Sequence, residues 1–177
     1  WPNYYPGWKG FARQIQSSII DWKAWRTGVQ TLHLQCRSKF GKIFLIVVDA
    51  FSKYPEVFEM TNSSATVTIE KLRYLFTRHG IQETIVSDNG TQFSSSEFAK
   101  FVAANGITHA PYNNSTGQVE RFVDTFKRAF RLGEKPNKEI IDIFLITYRT
   151  TPNDTLPLKC PAELLLGRRR TTIDLLR

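Results

Sequence analysis

The sequence IVSDNGTQF (residues 85–93) predicts a short apolar strand that ends just before Asp88. Further along, TGQVERF (residues 116–122) opens a predicted helix with Glu120 in its first turn. Apolar residues recur in this helix at helical spacing, so one of its faces is expected to pack on the rest of the fold. Two carboxylates placed in this way can meet around a divalent metal ion, a geometry that phosphoryl-transfer enzymes use to activate oxygen nucleophiles.

The rest of the chain predicts an α/β fold. Residues Thr31–Cys36 alternate between apolar and polar, Ile43–Val48 is a continuous apolar run, and Glu56–Met60 forms a third strand. After these three strands, short strands alternate with helices. The helices are predicted to end at Gly80, to span Ser96–Ala104, to follow residue 117, and to span Asn137–Arg149 and Pro161–Leu166. This order indicates a mixed sheet with helices on both faces.

The composition limits the class of protein and its partners. A chain of 177 residues that is 41% hydrophobic is long enough for one domain with a core, and its formal net charge is +8. That charge favours an anionic partner, nucleic acid before membrane surface, although a basic and inert surface is an equally open alternative. Cys36 and Cys160 are far apart, which argues against a disulfide scaffold or a Cys-rich zinc module. The sequence has no apolar run of membrane-spanning length, and residues 1–15 lack the layout of a signal peptide.

The two acid-bearing segments resemble the catalytic core of retroviral and LTR-retrotransposon integrases, most closely the Ty3/gypsy type. Similar blocks lie at residues 44–57, 148–153 and 161–168. The resemblance implies an RNase H-like fold, a mixed sheet with helices on both faces, for residues 28–167. Residues 1–27 are then an N-terminal flank that could be a remnant of an upstream zinc-binding module, and residues 168–177 are a basic C-terminal tail.

The resemblance also implies three metal-binding acids that hold Mg²⁺ or Mn²⁺. Asp88 and Glu120 match the second and third acids. The first acid of the family lies on the first strand, a few residues before a Gly-Lys pair. Counting back from Gly41 gives Gln35 at that position, and an amide brings no charge to a metal ion. We therefore expect weak metal binding and little catalytic activity. Taken alone, an Asp after a strand is more often a turn-former, and a Glu in a first helical turn is more often solvated.

Asp49 is the nearest acid that could replace the missing one. If the first hairpin turns near residues 39–40, Gln35 pairs with about Phe44, and Asp49 pairs with about Gln30. Asp49 then lies about 15 Å from Gln35, which is too far to share a metal ion. We interpret Asp49 as a structural residue.

The helix that carries Glu120 also provides candidate DNA contacts. Lys127 and Arg131 follow Glu120 by seven and eleven residues and share its face, a spacing that suits phosphate contacts. By resemblance, Gln118 and Thr116 also contact DNA. The alternative is a solvated basic face in which Asp124 pairs with Lys127 or Arg128. The 31 residues between the two acids (residues 89–119) are a few fewer than the family has, which weakens the case for activity further.

The expected function is therefore DNA integration by a polynucleotidyl transferase that is impaired in this copy, a degenerate or co-opted element. We expect DNA as partner, a homodimer or higher oligomer, a nuclear location, and neither a membrane nor a small-molecule substrate. Two alternatives remain open. One is a non-catalytic DNA-binding or dimerisation module, with the dimer surface on the helices between Gln118 and Arg149. The other is an RNase H-type nuclease that cuts RNA–DNA hybrids.

Overall fold

The computed structural model describes residues 31–39, 41–111, 118–129, 138–152, 156 and 159–167, with the backbone alone for residues 31–39, 111 and 118. The predicted flank (1–27), Thr116, Arg131 and the tail (168–177) lie outside these ranges.

The described strands form one mixed sheet in the order β3-β2-β1-β4-β5. The strands β1 and β2 and the strands β2 and β3 pair antiparallel, whereas β4 runs parallel to both β1 and β5. The strand bounds are β1 Thr31–Lys39, β2 Lys42–Asp49, β3 Pro55–Met60, β4 Thr84–Ser87 and β5 Thr108–Pro111. The predicted mixed sheet is confirmed.

Helices cover both faces of this sheet, as predicted. Their bounds are α1 Ala65–His79, α2 Ser96–Ala104, α3 Gln118–Ala129, α4 Lys138–Thr150 and α5 Pro161–Leu166. Serines begin the first two helices: the Ser64 hydroxyl accepts a hydrogen bond from the Val67 amide at 3.3 Å, and Ser95 caps α2 in the same way. Gly80 caps the C-terminal end of α1 with a φ of 82°, a backbone conformation that glycine adopts at little cost.

The core consists of two layers, one on each side of β2. Leu45 and Val47 pack with α1 and α2, whereas Phe44, Ile46 and Val48 pack with α3 and α4. Because alternate residues of a strand point to opposite faces, a strand covered on both sides is apolar throughout. The continuous apolar run of β2 therefore follows from its central place in the fold.

Helix α3 lies on the second of these faces. Val119, Phe122 and Phe126 are buried as the helical spacing predicts, and Val123 is buried with them. The same spacing continues to Ala129 or Phe130; Ala129 is exposed, and Phe130 lies outside the described residues.

The register of the β1–β2 hairpin differs from the predicted one by two residues. Gln35 pairs with Ile46 rather than Phe44, and Asp49 pairs with Leu32. The last pair is Lys39 with Lys42, so the turn contains only residues 40 and 41. Gly41 has a φ of 75°, which such a tight turn needs and which moves the turn one residue later than expected.

Candidate active site

The parallel pairing of β1 and β4 sets the geometry around Asp88. Leu34 pairs with Ser87, the last residue of β4, so the next positions along the two strands are 35 and 88. Ile85 is buried on the face of α1 and α2. Because faces alternate along a strand, position 88 lies on the opposite face, toward α3. Position 35 lies on that same face, since it pairs with Ile46 of the α3–α4 core layer.

Asp88 begins a tight turn that fixes its carboxylate locally. Its Oδ1 accepts a hydrogen bond from the Gly90 amide at 3.2 Å, and its carbonyl oxygen accepts one from the Ser87 hydroxyl at 3.1 Å. This is the turn-forming geometry typical of aspartate after a strand. The residue is half-buried, so solvent and small ions have access to it.

Glu120 lies in the first turn of α3 and is exposed. The helix contacts β1 and β2 through its apolar side, over the face that carries positions 35 and 88. Its first turn also places a negative charge at the positive end of the helix dipole, which stabilises the helix whatever else the residue does.

Asp88, Glu120 and Gln35, the candidate metal ligands, together carry only two negative charges. Among the residues whose side chains the structure describes, no group of three or more His, Cys, Asp or Glu residues is arranged to hold a metal ion. Asp88 and Glu120 are of the right chemical type for Mg²⁺ or Mn²⁺, but the strand position beside Asp88 carries a neutral glutamine.

Asp49 belongs to a different part of the fold. It is 2% exposed, and its Oδ2 accepts hydrogen bonds from the amide and the hydroxyl of Ser52 at 2.6 and 2.5 Å. Burial raises the pKa of this carboxyl, while the bonds from Ser52 oppose that rise. Asp49 pairs with Leu32, three residues or about 10 Å from Gln35 and on the opposite face of the sheet. The distance is shorter than predicted, but the structural interpretation of Asp49 is supported.

The candidate DNA-contact residues fall only partly within the described ranges. Lys127 is half-buried, and its Nζ lies 3.7 Å from Asp124 Oδ1, which is the ion pair considered as the alternative to DNA contact. Gln118 is the first residue of α3. An exposed pair of this kind contributes little to stability, so it leaves Lys127 able to exchange its partner.

Sequence patterns did not indicate two further polar groupings. Ser87 and His109 hydrogen-bond behind Asp88. Glu56 contacts Arg149, Arg78 and His79 at the edge strand β3. Both groupings join residues far apart in the sequence, so no local sequence pattern indicates them.

No helix within the described residues is long and apolar enough to cross a membrane.

The fold agrees with comparisons to known proteins. Residues 24–116 match the integrase core domain family, and this chain belongs to that family.

The relatives include large polyproteins. The chain is 46% identical over 144 residues to an uncharacterised Caenorhabditis elegans protein, covering 77% of this chain and 11% of that protein. It is 33% identical over 122 residues to the Gag-Pol polyprotein of baboon endogenous virus (strain M7), covering 63% of this chain and 7% of that polyprotein. It is 32% identical over 122 residues to the Pol polyprotein of feline endogenous virus ECE1, covering 63% of this chain and 12% of that polyprotein. The chain therefore spans about a tenth of the length of these relatives.

Proposed function

We propose that this chain is an integrase core that binds DNA and catalyses little or no strand transfer, because a neutral residue holds the place of the first metal-binding acid. The observation that carries the proposal is the β1–β4 register, which sets position 35 beside position 88 on the face that α3 covers. Gln35 is thus the neighbour from which a third carboxylate would be expected. The family to which the chain belongs supports DNA integration as the ancestral activity.

We further propose that Asp88 and Glu120 are the metal ligands, with Gln35 at the impaired position. In two-metal centres the bound ions activate the attacking oxygen and stabilise the leaving one. Two carboxylates and a neutral amide offer two negative charges where the family has three. Such a set fits one weakly held Mg²⁺ or Mn²⁺ ion and does not fit a pair of ions, whose mutual repulsion a bridging carboxylate would have to offset.

DNA is the proposed partner of the same face. The net charge of +8 favours binding to a polyanion, and Lys127, Arg131, Gln118 and Thr116 are the proposed contacts on and before α3. We also propose a nuclear location, because chromosomal DNA, the target of the proposed integration, lies in the nucleus.

The decisive experiment restores the missing charge. Mn²⁺ binding is titrated by calorimetry for the wild-type chain, Gln35→Asp and Gln35→Asn. Asp and Asn have nearly the same shape, so the pair differs in charge alone. We expect Gln35→Asp to bind Mn²⁺ at least about tenfold more tightly, because an added carboxylate contact is worth more than a neutral one. Gln35→Asn should match the wild type.

Two outcomes would contradict the proposal. One is the absence of any gain in Mn²⁺ affinity in Gln35→Asp, which would mean that position 35 is not the third metal-binding position beside Asp88 and Glu120. The other is Mg²⁺-dependent DNA joining by the wild-type chain at a rate that Asp88→Asn abolishes, which would show that the missing acid is not needed.

A second candidate function is an oligomerisation module without chemistry. The described part of α4 supports it, because Ile143 and Ile146 are 51% and 42% exposed on its outer side. Two exposed isoleucines three positions apart on a helix form a small apolar patch, which association with a second copy of the chain would remove from water. Light scattering distinguishes the two functions: a dimer that Ile143→Glu dissociates, and that shows no salt-dependent DNA binding, favours this candidate.

A further inference from the structure

Directly behind Asp88, on the face of α1 and α2, two polar side chains form a hydrogen bond that the proposed metal site does not use. The hydroxyl oxygen of Ser87 lies 2.8 Å from His109 Nε2. The same hydroxyl donates to the carbonyl oxygen of Asp88 at 3.1 Å. Ser87 is 1% exposed, so these groups satisfy a hydroxyl that water does not reach.

The two contacts can both be hydrogen bonds at once in only one arrangement of protons. A hydroxyl has one proton, and a carbonyl oxygen can only accept. When Ser87 donates to Asp88, the imidazole must donate its Nε2 proton to Ser87. The bonds then run in one direction, from His109 through Ser87 to the main chain of Asp88.

His109 is itself held in place. It lies on β5, where its backbone pairs with Ile85 of β4. Its ring packs edge-on against Phe98, with ring centroids 5.1 Å apart, and Phe98 is fully buried in α2. The imidazole therefore connects the edge strand and the core to the last residue of β4.

The backbone of Asp88 lies just beyond the hydrogen-bonded part of the sheet. It lies one residue past the last pair of both ladders, Leu34 with Ser87 on one side and Ser87 with Pro111 on the other. The bond to its carbonyl limits rotation of the peptide after Asp88. That peptide leads directly into the turn in which Gly90 donates to the Asp88 carboxylate.

We propose that His109 is a positioning residue that, through Ser87, fixes the turn after β4 and so orients the Asp88 carboxylate toward the face of position 35. The proposal rests on the proposed function insofar as Asp88 is a metal ligand.

The test uses variants of the full chain. His109→Phe keeps an aromatic ring against Phe98 and removes the donor. His109→Gln keeps a side-chain donor, and Ser87→Ala removes the connecting hydroxyl. The control is Thr108→Ala, a change at an exposed neighbour on the same strand.

Amide hydrogen exchange of Gly90, measured by NMR without metal, reports the order of the turn. The readout is the ratio of this rate in a variant to the rate in the wild type, and the core amide of Leu72 reports any change in global stability separately. We expect His109→Phe and Ser87→Ala to raise this ratio by about three- to tenfold, the effect of one neutral hydrogen bond. His109→Gln should restore most of the protection, and Thr108→Ala should change nothing. An unchanged ratio in Ser87→Ala or in His109→Phe would overturn the proposal.

A second measurement connects the turn to metal binding. In a Gln35→Asp background, His109→Phe should weaken Mn²⁺ binding by about three- to tenfold, and His109→Gln should not. Undiminished Mn²⁺ binding in His109→Phe would overturn the positioning role. If Gln35→Asp gains no Mn²⁺ binding at all, the proposed function fails, and the exchange ratio of Gly90 still decides whether His109 orders the turn.

Discussion

Arg149 Nη2 lies 2.8 Å from Glu56 Oε2, and this contact connects the end of α4 to the start of β3. The same guanidinium donates two hydrogen bonds to the carbonyl oxygen of Pro55, at 3.0 and 2.8 Å, and stacks 4.5 Å above the ring of Tyr54. Glu56 is 7% exposed, and it also contacts His79 at the end of α1. A single carboxylate thus joins helices from opposite faces of the sheet around its edge strand.

The first prediction concerns the stability that this buried carboxylate contributes. Glu56→Gln leaves the half-buried Arg149 without a counter-charge, and breaking a largely buried pair in this way costs about 3 kcal/mol of unfolding free energy. Urea denaturation measures the loss. Glu59→Gln is the matched control, since Glu59 lies on the same strand in an exposed pair with Lys42 and should lose less than about 1 kcal/mol. Equal losses in the two variants would contradict a special role for Glu56.

The second prediction concerns acid. Burial alone would raise the pKa of Glu56, but the hydrogen bond with His79 and the charges of Arg149 and Arg78 outweigh it, so the pKa lies below its ordinary value of 4.5. A carboxyl with a lowered pKa in the folded state stabilises the fold above its ordinary pKa, and this stability is lost as the pH falls through the folded value.

Unfolding free energies measured from pH 7 to pH 3 should therefore fall more steeply in the wild type below about pH 4.5 than in Glu56→Gln. Asp49 provides a control of opposite sign. Because burial raises the pKa of Asp49, its ionisation destabilises the fold. Asp49→Asn should therefore not reduce the fall in unfolding free energy at acidic pH. If the unfolding free energy falls equally steeply with pH in the wild type and in Glu56→Gln, Glu56 is excluded as the group that titrates.

Much of the fold could be predicted because its determinants are local. The apolar run of β2 requires burial on both faces, and α2 and α5 occur at the predicted residues, Ser96–Ala104 and Pro161–Leu166. The place of Asp88 could be predicted in the same way, since a short apolar strand ends just before it.

The features that could not be predicted depend on tertiary contacts or on one backbone angle. The β1–β2 register depends on Gly41 at a φ of 75°, and a shift of the turn by one residue moves every cross-strand pair by two. Glu56 and Arg149 are separated by 93 positions, and no spacing rule connects them. The strand before Asp88 and the helix that carries Glu120 were therefore predictable from local sequence, whereas the hydrogen bonds and ion pairs around them were not.

The third prediction concerns DNA. The pair between Lys127 and Asp124 is long and exposed, so phosphate should displace Asp124 from Lys127. Lys127→Gln should weaken binding of duplex DNA and lower the slope of log affinity against log salt by about one. Asp124→Asn should strengthen binding, because it removes a competing carboxylate.

Lys71 is the control for that experiment. It lies on α1, over the other face of the sheet, and its Nζ is 3.2 Å from Glu70 Oε1, so it is also a paired surface lysine. Lys71→Gln should change DNA binding little. Fluorescence anisotropy over a series of salt concentrations gives the slopes for both variants. The same loss of DNA affinity in both would mean that DNA is attracted by the net charge of the chain and does not bind the face of α3 specifically.

The fourth prediction concerns the packing that holds α3, and with it Glu120, on the sheet. Phe122 is 1% exposed, and its ring lies within 4.9–6.2 Å of the rings of Tyr148, Phe144 and Phe126. Phe122→Ala should cost about 3–5 kcal/mol of unfolding free energy, because a cavity replaces these contacts. Phe122→Leu fills most of that space and should cost much less.

The same two variants separate packing from metal binding. Because α3 contacts β1 and β2 through this apolar side, loosening it allows Glu120 to move relative to position 88. In a Gln35→Asp background, Phe122→Ala should therefore weaken Mn²⁺ binding more than Phe122→Leu does. Thr125→Ala, on the exposed side of the same helix, is the control and should affect neither property strongly. If Phe122→Ala is destabilised as expected but binds Mn²⁺ as tightly as Phe122→Leu, then Glu120 does not contribute to the metal site from α3.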